Sequence, residues 1–275
     1  MITENAQDAI AAANEAGTLF VDTRSPELWA QSTIPGAVCL NVYSYFIPES
    51  SEDGIRGMVA GARAAFAALG VDKATKVVFF EDQTGMVSPR ALWFHQLCDL
   101  SGGVILDGGW QAWCAAGGET APGVGEPATI EHGDPAQAGT FRRDLVASTD
   151  EVLARGRVRI LDARRPAEWE GSYVHACCGR AGRIEGAQLL YFEDLIEGGQ
   201  YKSPEAIRAI AEAAGFKPED EIISYCHRGA RAATANYGLA LAGYTKLKVY
   251  TGSWHEWAGD PSLPIVEGTG EYVHR

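Results

Sequence analysis

Short apolar runs alternate with stretches of helical character along the whole chain. Leu19-Phe-Val21, Val77-Val-Phe-Phe80, Ile160-Leu161 and Ile222-Ile223 with Tyr225 read as strands buried on both faces. Ser148-Thr-Asp-Glu151 is a capping box that opens a helix through Ala154; a strand at Ile160–Asp162 follows, and another lies near Leu189-Leu-Tyr191. Ser203-Pro-Glu205 opens a helix through Ala214, with Pro204 at its first position. From Ala230 onward, Ala-Arg-Ala-Ala-Thr-Ala-Asn-Tyr-Gly-Leu-Ala-Leu-Ala is a helix of high intrinsic propensity. Gly117–Gly139 is rich in Gly, Pro and Ala and has no period, which predicts a linker laid over the surface. Alternation of this kind predicts an α/β fold, a mostly parallel sheet with helices on both faces.

The pattern runs twice. Leu19-Phe-Val-Asp-Thr-Arg-Ser-Pro-Glu-Leu-Trp29 corresponds to Arg159-Ile-Leu-Asp-Ala-Arg-Arg-Pro-Ala-Glu-Trp169, and Ile34-Pro-Gly-Ala37 to Ile184-Glu-Gly-Ala187. Val77-Val-Phe-Phe-Glu81 matches Ile222-Ile-Ser-Tyr-Cys226, and Leu106-Asp-Gly-Gly-Trp-Gln-Ala-Trp113 matches Tyr250-Thr-Gly-Ser-Trp-His-Glu-Trp257. The offset is 140 at Asp22/Asp162 and 150 at Gly36/Gly186, so the second copy carries an insertion within Glu170–Arg183. The expected organisation is a first domain over residues 1–116, a linker over 117–140 and a second domain over 141–275. Trp110 and Trp254 read as core anchors, and Asp162, repeated at Asp22, as a fold-stabilising carboxylate.

Composition narrows the partners. A net charge of −13 argues against nucleic acid, and no apolar run is long enough to span a bilayer. The cytoplasm is the default compartment, and the six cysteines have no framework spacing, so free thiols are expected. Neither His nor Cys falls at the spacing of a zinc site, so no metal and no cofactor is expected. Residues 1–140 hold 6 Lys+Arg against 17 Asp+Glu, and residues 141–275 hold 17 against 19. The second half is the less acidic one, as a site for an anion would prefer.

That half holds the chemistry. Cys226 ends the apolar strand and faces the start of the helix from Ala230, inside Cys226-His-Arg-Gly-Ala-Arg231. Unpaired backbone N–H groups at a helix start, here those of residues 227–231 with Gly229 and Ala230 among them, favour an anion. Arg228 and Arg231 add positive charge, so the position favours a thiolate and an anionic partner. Arg164, after the strand end Asp162, is a third candidate clamp. His227 reads first as a solvent-facing loop residue and second as a contact for that partner. Cys177 and Cys178, with Arg183 after them in the insertion, are possible accessory groups. A cysteine in an N–H-lined loop also fits a phosphatase or arsenate reductase. Those wrap a tetrahedral oxyanion with Cys-x5-Arg, whereas Cys226 to Arg231 is Cys-x4-Arg, a tighter ring.

The repeated blocks resemble the tandem rhodanese (sulfurtransferase) family, and the resemblance covers nearly the whole chain. Its marks are the Asp-x-Arg strand end, the Gly182-Arg-Ile-Glu-Gly-Ala187 turn, the loop that begins with Cys226, and the Gly-Ser/Gly-Trp-x-x-Trp turn. The resemblance implies two tandem rhodanese-like domains, of which the first is silent because Glu81 stands in place of the cysteine. It also implies transfer of the sulfane sulfur of thiosulfate, through a Cys226 persulfide, to cyanide or a thiol. The partners implied are a small anionic sulfur donor and a thiol or thiol-protein acceptor. The basic loop resembles that of thiosulfate sulfurtransferases more than the small neutral loop of 3-mercaptopyruvate sulfurtransferases, which are the alternative within the fold. A non-catalytic binding module is the alternative outside it, and the retained cysteine speaks against that.

Overall fold

Strands that must be apolar on both faces need cover on both sides, and the chain supplies it twice. In a computed structural model, which describes residues 2–268, the backbone divides into two compact units. Among the described residues the first comprises 2–45, 55–142 and 196–201; the second comprises 46–54, 143–195 and 202–268. In the first unit six parallel strands lie in the order Thr3–Glu4, Gly103–Leu106, Lys76–Phe80, Thr18–Asp22, Val38–Asn41 and Ala128–Thr129. In the second, five parallel strands lie in the order Val146–Ala147, Lys246–Tyr250, Glu221–Tyr225, Arg159–Asp162 and Ala187–Leu189. The first five positions match strand for strand, so the sequence repeat is a repeat of topology. No helix among the described residues is long and apolar enough to cross a membrane.

Alternation along the strand Glu221–Tyr225 shows how both faces are filled. Ile223 and Tyr225 join Val152, Trp169, Ile184, Trp254 and Trp257 in one core. Ser224 turns the other way, and its hydroxyl bonds the Asn236 carboxamide on the helix Ala230–Leu241. Helices start where the caps predict. Ser148 accepts from the Glu151 N–H while the Glu151 carboxylate reaches back, and Ser203 caps the helix Pro204–Ala213.

The linker expected over the surface at 117–140 is tied down along its length: Ala128–Thr129 pairs with Val38–Asn41, Ala121 bridges to Thr33, and Ile130 and Ala138 are buried. Isolated apolar residues find separate seats there, which leaves no period to read. The strand expected near 189–191 lies at Ala187–Leu189, because the chain turns into a short 3₁₀ segment at Phe192–Leu195.

One buried ion pair recurs in both units. Asp162 and Arg164 are 0% and 1% exposed, with Arg164 Nη2 donating to Asp162 Oδ2 at 2.6 Å and Nε to Oδ1 at 2.9 Å. Arg164 also donates to the Gly182 carbonyl at 2.8 Å, and its guanidinium lies 4.6 Å from the Trp254 ring centre. Asp22 and Arg24 repeat the geometry at 2.6 and 3.0 Å, with the Ser32 carbonyl and the Trp110 ring as the further partners. Removing one member leaves a buried charge without compensation. Arg164→Leu should therefore lower stability by about 3–5 kcal/mol, read from urea unfolding. The double change Asp162→Leu with Arg164→Leu should cost less than Arg164→Leu alone; equal loss in the two proteins would deny the pair this role.

Candidate active site

Cys226 occupies the turn between the central strand Glu221–Tyr225 and the helix Ala230–Leu241, and it is 1% exposed. Its carbonyl accepts from Trp254 N at 2.9 Å, and its N–H donates to Ser253 Oγ at 3.2 Å. The Gly229 N–H donates to Cys226 Sγ at 3.1 Å. Gly229 has φ 90°, and a Cβ there would find no contact closer than 3.4 Å, so the left-handed backbone rather than crowding calls for glycine. Ser253 holds φ 54° without being glycine. Its hydroxyl donates to Tyr250 O at 2.8 Å while accepting from Cys226, which ties the strained residue to the thiol's own backbone.

The three arginines expected to act together do not share one role. Arg164 is enclosed by Asp162, Gly182 and Trp254, as described above, so it corrects the expectation of a clamp. Arg231 donates to both oxygens of Glu168, at 2.6 and 3.1 Å. Burial would lower the Arg231 pKa, but the hydrogen bonds of Glu168 and the charges of Cys226 and Glu168 raise it. Arg228 is different. Its guanidinium lies 4.1 Å from the Phe46 ring centre, its Nη2 lies 3.5 Å from Cys177 Sγ, and its buried Nε has no hydrogen-bond partner. Among the described residues no carboxylate pairs with it. Arg228 is the cation with unused capacity at this loop.

Around Arg228 the insertion folds back onto the loop. His227 is half-buried, not solvent-facing: its ring stacks on His175 at 3.9 Å and 4°. Burial and the nearby His175, Arg228 and Arg231 bring its pKa down to about 3, so it is neutral at ordinary pH. His227 Nε2 lies 3.3 Å from Cys177 Sγ. The ligand atoms of Cys177, Cys178 and His227 all lie within 4.8 Å of one another, which corrects the expectation that no His/Cys cluster exists. Cys177 is exposed, and Cys178 is buried with its thiol raised to about 12 by burial and by Cys177. Arg183 faces away from this cluster in function: it caps the Trp169 ring at 4.4 Å and donates to the Trp169 carbonyl. Arg180 donates to the carbonyls of Trp257, Ala258 and Leu263 at 2.6–3.1 Å and so fastens the insertion.

Glu168, His175, Ser253 and Phe46 were not legible as site residues in the sequence. Glu168 had one signal: its counterpart in the first copy is Leu28, so the acid is peculiar to the copy with the cysteine. In that first copy Glu81 replaces Cys226, and its Oε1 accepts from the N–H groups of Gly85, Val87 and Ser88 and from Ser88 Oγ, at 2.9–3.2 Å. The loop there is longer as well, with the helix starting at Ser88. Burial raises the thiols of Cys39 and Cys98 to about 12.

Residues 5–116 and 146–260 match the Rhodanese-like domain family. A Pseudomonas aeruginosa protein named probable 3-mercaptopyruvate sulfurtransferase is 34% identical over 205 residues, covering 73% of this chain and 71% of that one. A thiosulfate sulfurtransferase of the same organism is 25% identical over 253 residues, covering 90% of each chain. The crystal structure of the Escherichia coli 3-mercaptopyruvate sulfotransferase SseA superposes with a TM-score of 0.70 at 22% identity, covering 92% of this chain and 98% of that one.

The Glu168–Arg231 pair has a pH signature. Burial pushes the Glu168 carboxyl up, but the Arg231 hydrogen bonds and the charges of Arg231 and Arg164 outweigh it and bring it down to about 2. A depressed carboxyl stabilises the fold above its ordinary value of 4.5 and loses that contribution as pH falls through 2. The stability gap between the wild type and Glu168→Gln should thus be widest above pH 4.5 and close toward pH 2, followed by chemical denaturation across that range. A gap that does not change with pH would place the pairing elsewhere.

Proposed function

This chain belongs to the rhodanese family, and from that premise we propose that it is a sulfurtransferase that moves the sulfane sulfur of thiosulfate through a persulfide on Cys226. The observation that carries the proposal is the Cys226 loop: a sulfur at a strand end, an N–H aimed at it from Gly229, and, two residues along the same loop, Arg228 with an unpartnered Nε. The Cys226 thiolate attacks the outer sulfur of thiosulfate. The S–S bond of the donor breaks, sulfite leaves with the electron pair, and Cys226 keeps a persulfide. A thiophile, cyanide in an assay or a thiol, then attacks the outer sulfur and restores the thiolate. The Gly229 N–H stabilises the anionic sulfur, and Arg231, fixed by both oxygens of Glu168, adds a positive field from one side. Arg228 meets the sulfonate. Its stacking on Phe46 holds the guanidinium in place without neutralising it.

Relatives of this chain carry the names of both donor classes, so donor choice is the finer part of the proposal. Thiosulfate is a dianion and 3-mercaptopyruvate a monocarboxylate, which makes a loop whose Arg228 has no carboxylate partner favour the former. Thiosulfate should give the higher kcat/KM with cyanide as acceptor, and Arg228→Gly should lower that value about 10–100-fold, the equivalent of one charge-assisted hydrogen bond. A wild type that strongly prefers 3-mercaptopyruvate reverses the donor assignment. Thiosulfate treatment should add about 32 Da (one sulfur) to the peptide holding Cys226, and cyanide should remove it. Cys226→Ser should abolish both steps.

The first unit is proposed to be catalytically silent. Glu81 offers no thiol, and its carboxylate already takes the N–H groups of its loop. In the double variant Glu81→Cys, Cys226→Ser, mass spectrometry should find no cyanide-labile sulfur at position 81. Turnover by that protein would refute the assignment of silence.

A further inference from the structure

The insertion of the second unit brings two thiols to the His227 imidazole of the Cys226 loop, and the chemistry of sulfur transfer through Cys226 uses neither thiol. Cys177 Sγ, Cys178 Sγ and His227 Nε2 lie within 4.8 Å of one another. Three ligands spread evenly around a d¹⁰ ion at bond lengths of about 2.0–2.3 Å sit about 3.5–4.0 Å apart. The Cys177–His227 separation of 3.3 Å needs to open by a few tenths of an ångström, and the third ligand, within 4.8 Å of both, to close by about an ångström or less. The outer shell is also present. The His227 ring is held flat against His175, and His175 Nε2 is in turn held by Glu168 Oε1 at 3.2 Å. The insertion that carries the thiols is fastened by Arg180 to the carbonyls of Trp257, Ala258 and Leu263, so the two sulfurs are presented rather than loose.

We propose that Cys177, Cys178 and His227 form a binding site for a thiophilic d¹⁰ metal ion, copper(I) ahead of zinc(II). Two thiolates and an imidazole are soft and borderline donors, which select these ions over magnesium or calcium. The choice between the two rests on coordination number and charge. The cluster supplies three ligands, a complete set for copper(I) but one short of the four that a structural zinc site uses. Two thiolates leave a copper(I) site with one net negative charge, and the Arg228 guanidinium, 3.5 Å from Cys177 Sγ and without a carboxylate partner, balances it. Each thiol gives up its proton to solvent as it binds, and no electron is transferred. The site shares His227 and Arg228 with the loop of the sulfur-transfer reading, but its metal binding needs neither Cys226 nor a donor, so the two fail separately.

The test is metal uptake by the full chain, made anaerobically with ascorbate. Copper(I) is offered in competition with a chromophoric bicinchoninate or bathocuproine chelator, zinc(II) with pyridylazoresorcinol. The wild type should hold one copper(I) per chain, and X-ray absorption at the copper edge should show two sulfurs and one nitrogen. Cys177→Ser, Cys178→Ser and His227→Ala should each lower affinity 100-fold or more, while Cys226→Ser should keep the full stoichiometry. Thermal melts of each variant separate loss of ligand from loss of fold, and Cys177→Ser, at an exposed position, is the safest of them. Uptake that persists in the triple variant, or that disappears with Cys226→Ser, overturns the site. Tight zinc(II) with weak copper(I) overturns the choice of metal.

Discussion

The buried Asp162–Arg164 pair holds together four parts of the second unit that the chain supplies from different places. Asp162 ends one strand, Tyr225 ends its neighbour, Gly182 closes the insertion, and Trp254 belongs to the turn after Lys246–Tyr250. Arg164 touches the last three through Tyr225 Oη, the Gly182 carbonyl and the Trp254 ring. Two charges so deeply buried carry a desolvation penalty of several kcal/mol each, repaid only when every donor and lone pair is matched. Asp162 meets that demand with its own Arg164 N–H, the guanidinium and the Tyr225 hydroxyl. The geometry of the Cys226 turn follows from it: Trp254, packed on Arg164, directs its N–H at the Cys226 carbonyl.

The two copies serve as internal controls for each other. What they share belongs to the fold: the Asp-x-Arg pair, the tryptophan over it, and the N–H from that tryptophan to the carbonyl of residue 81 or 226. What they do not share gathers at one loop. Cys226 stands against Glu81, Glu168 against Leu28, and Ser253 against Gly109. The first unit even keeps the anion-binding character of its loop, but Glu81 satisfies the N–H groups from within. A Cβ at Gly109 would come within 2.3 Å of the Glu81 carbonyl, so that turn has settled around glycine while the second has settled around a serine that bonds Cys226.

Much of the fold was legible because its signals are local. Apolar runs and capping boxes each lie within a dozen residues, and the repeat is a match between such local blocks; the strand order, set by pairing between distant segments, was not legible. Residues 117–140 escaped because Ile130 and Ala138 are buried one at a time, without a period. The site was legible only where it follows from the strand-turn-helix around Cys226. Asp-x-Arg reads equally well as a clamp or as a core pair, and only burial separates the two. Cys177 and Cys178 lie far along the chain from His227, so no spacing rule could have joined them; the insertion does so in space.

The arginines show why counting charges along a loop overstates its field. Read in sequence, Arg164, Arg228 and Arg231 make a strongly basic site. In the structure Asp162 pairs with the first and Glu168 with the third, and each pair is close to neutral at a distance. With Arg231 held by Glu168, Arg228 is the cation of this loop that has no carboxylate partner among the described residues, and it lies beside a helix start and the neutral His227. Under the proposed function such a site holds about one unit of positive charge, and backbone N–H groups would meet the second negative charge of thiosulfate. In the proposed reaction that balance serves both halves of the cycle: it is enough to orient a dianion, and not so strong that sulfite is retained once the sulfur has passed to Cys226.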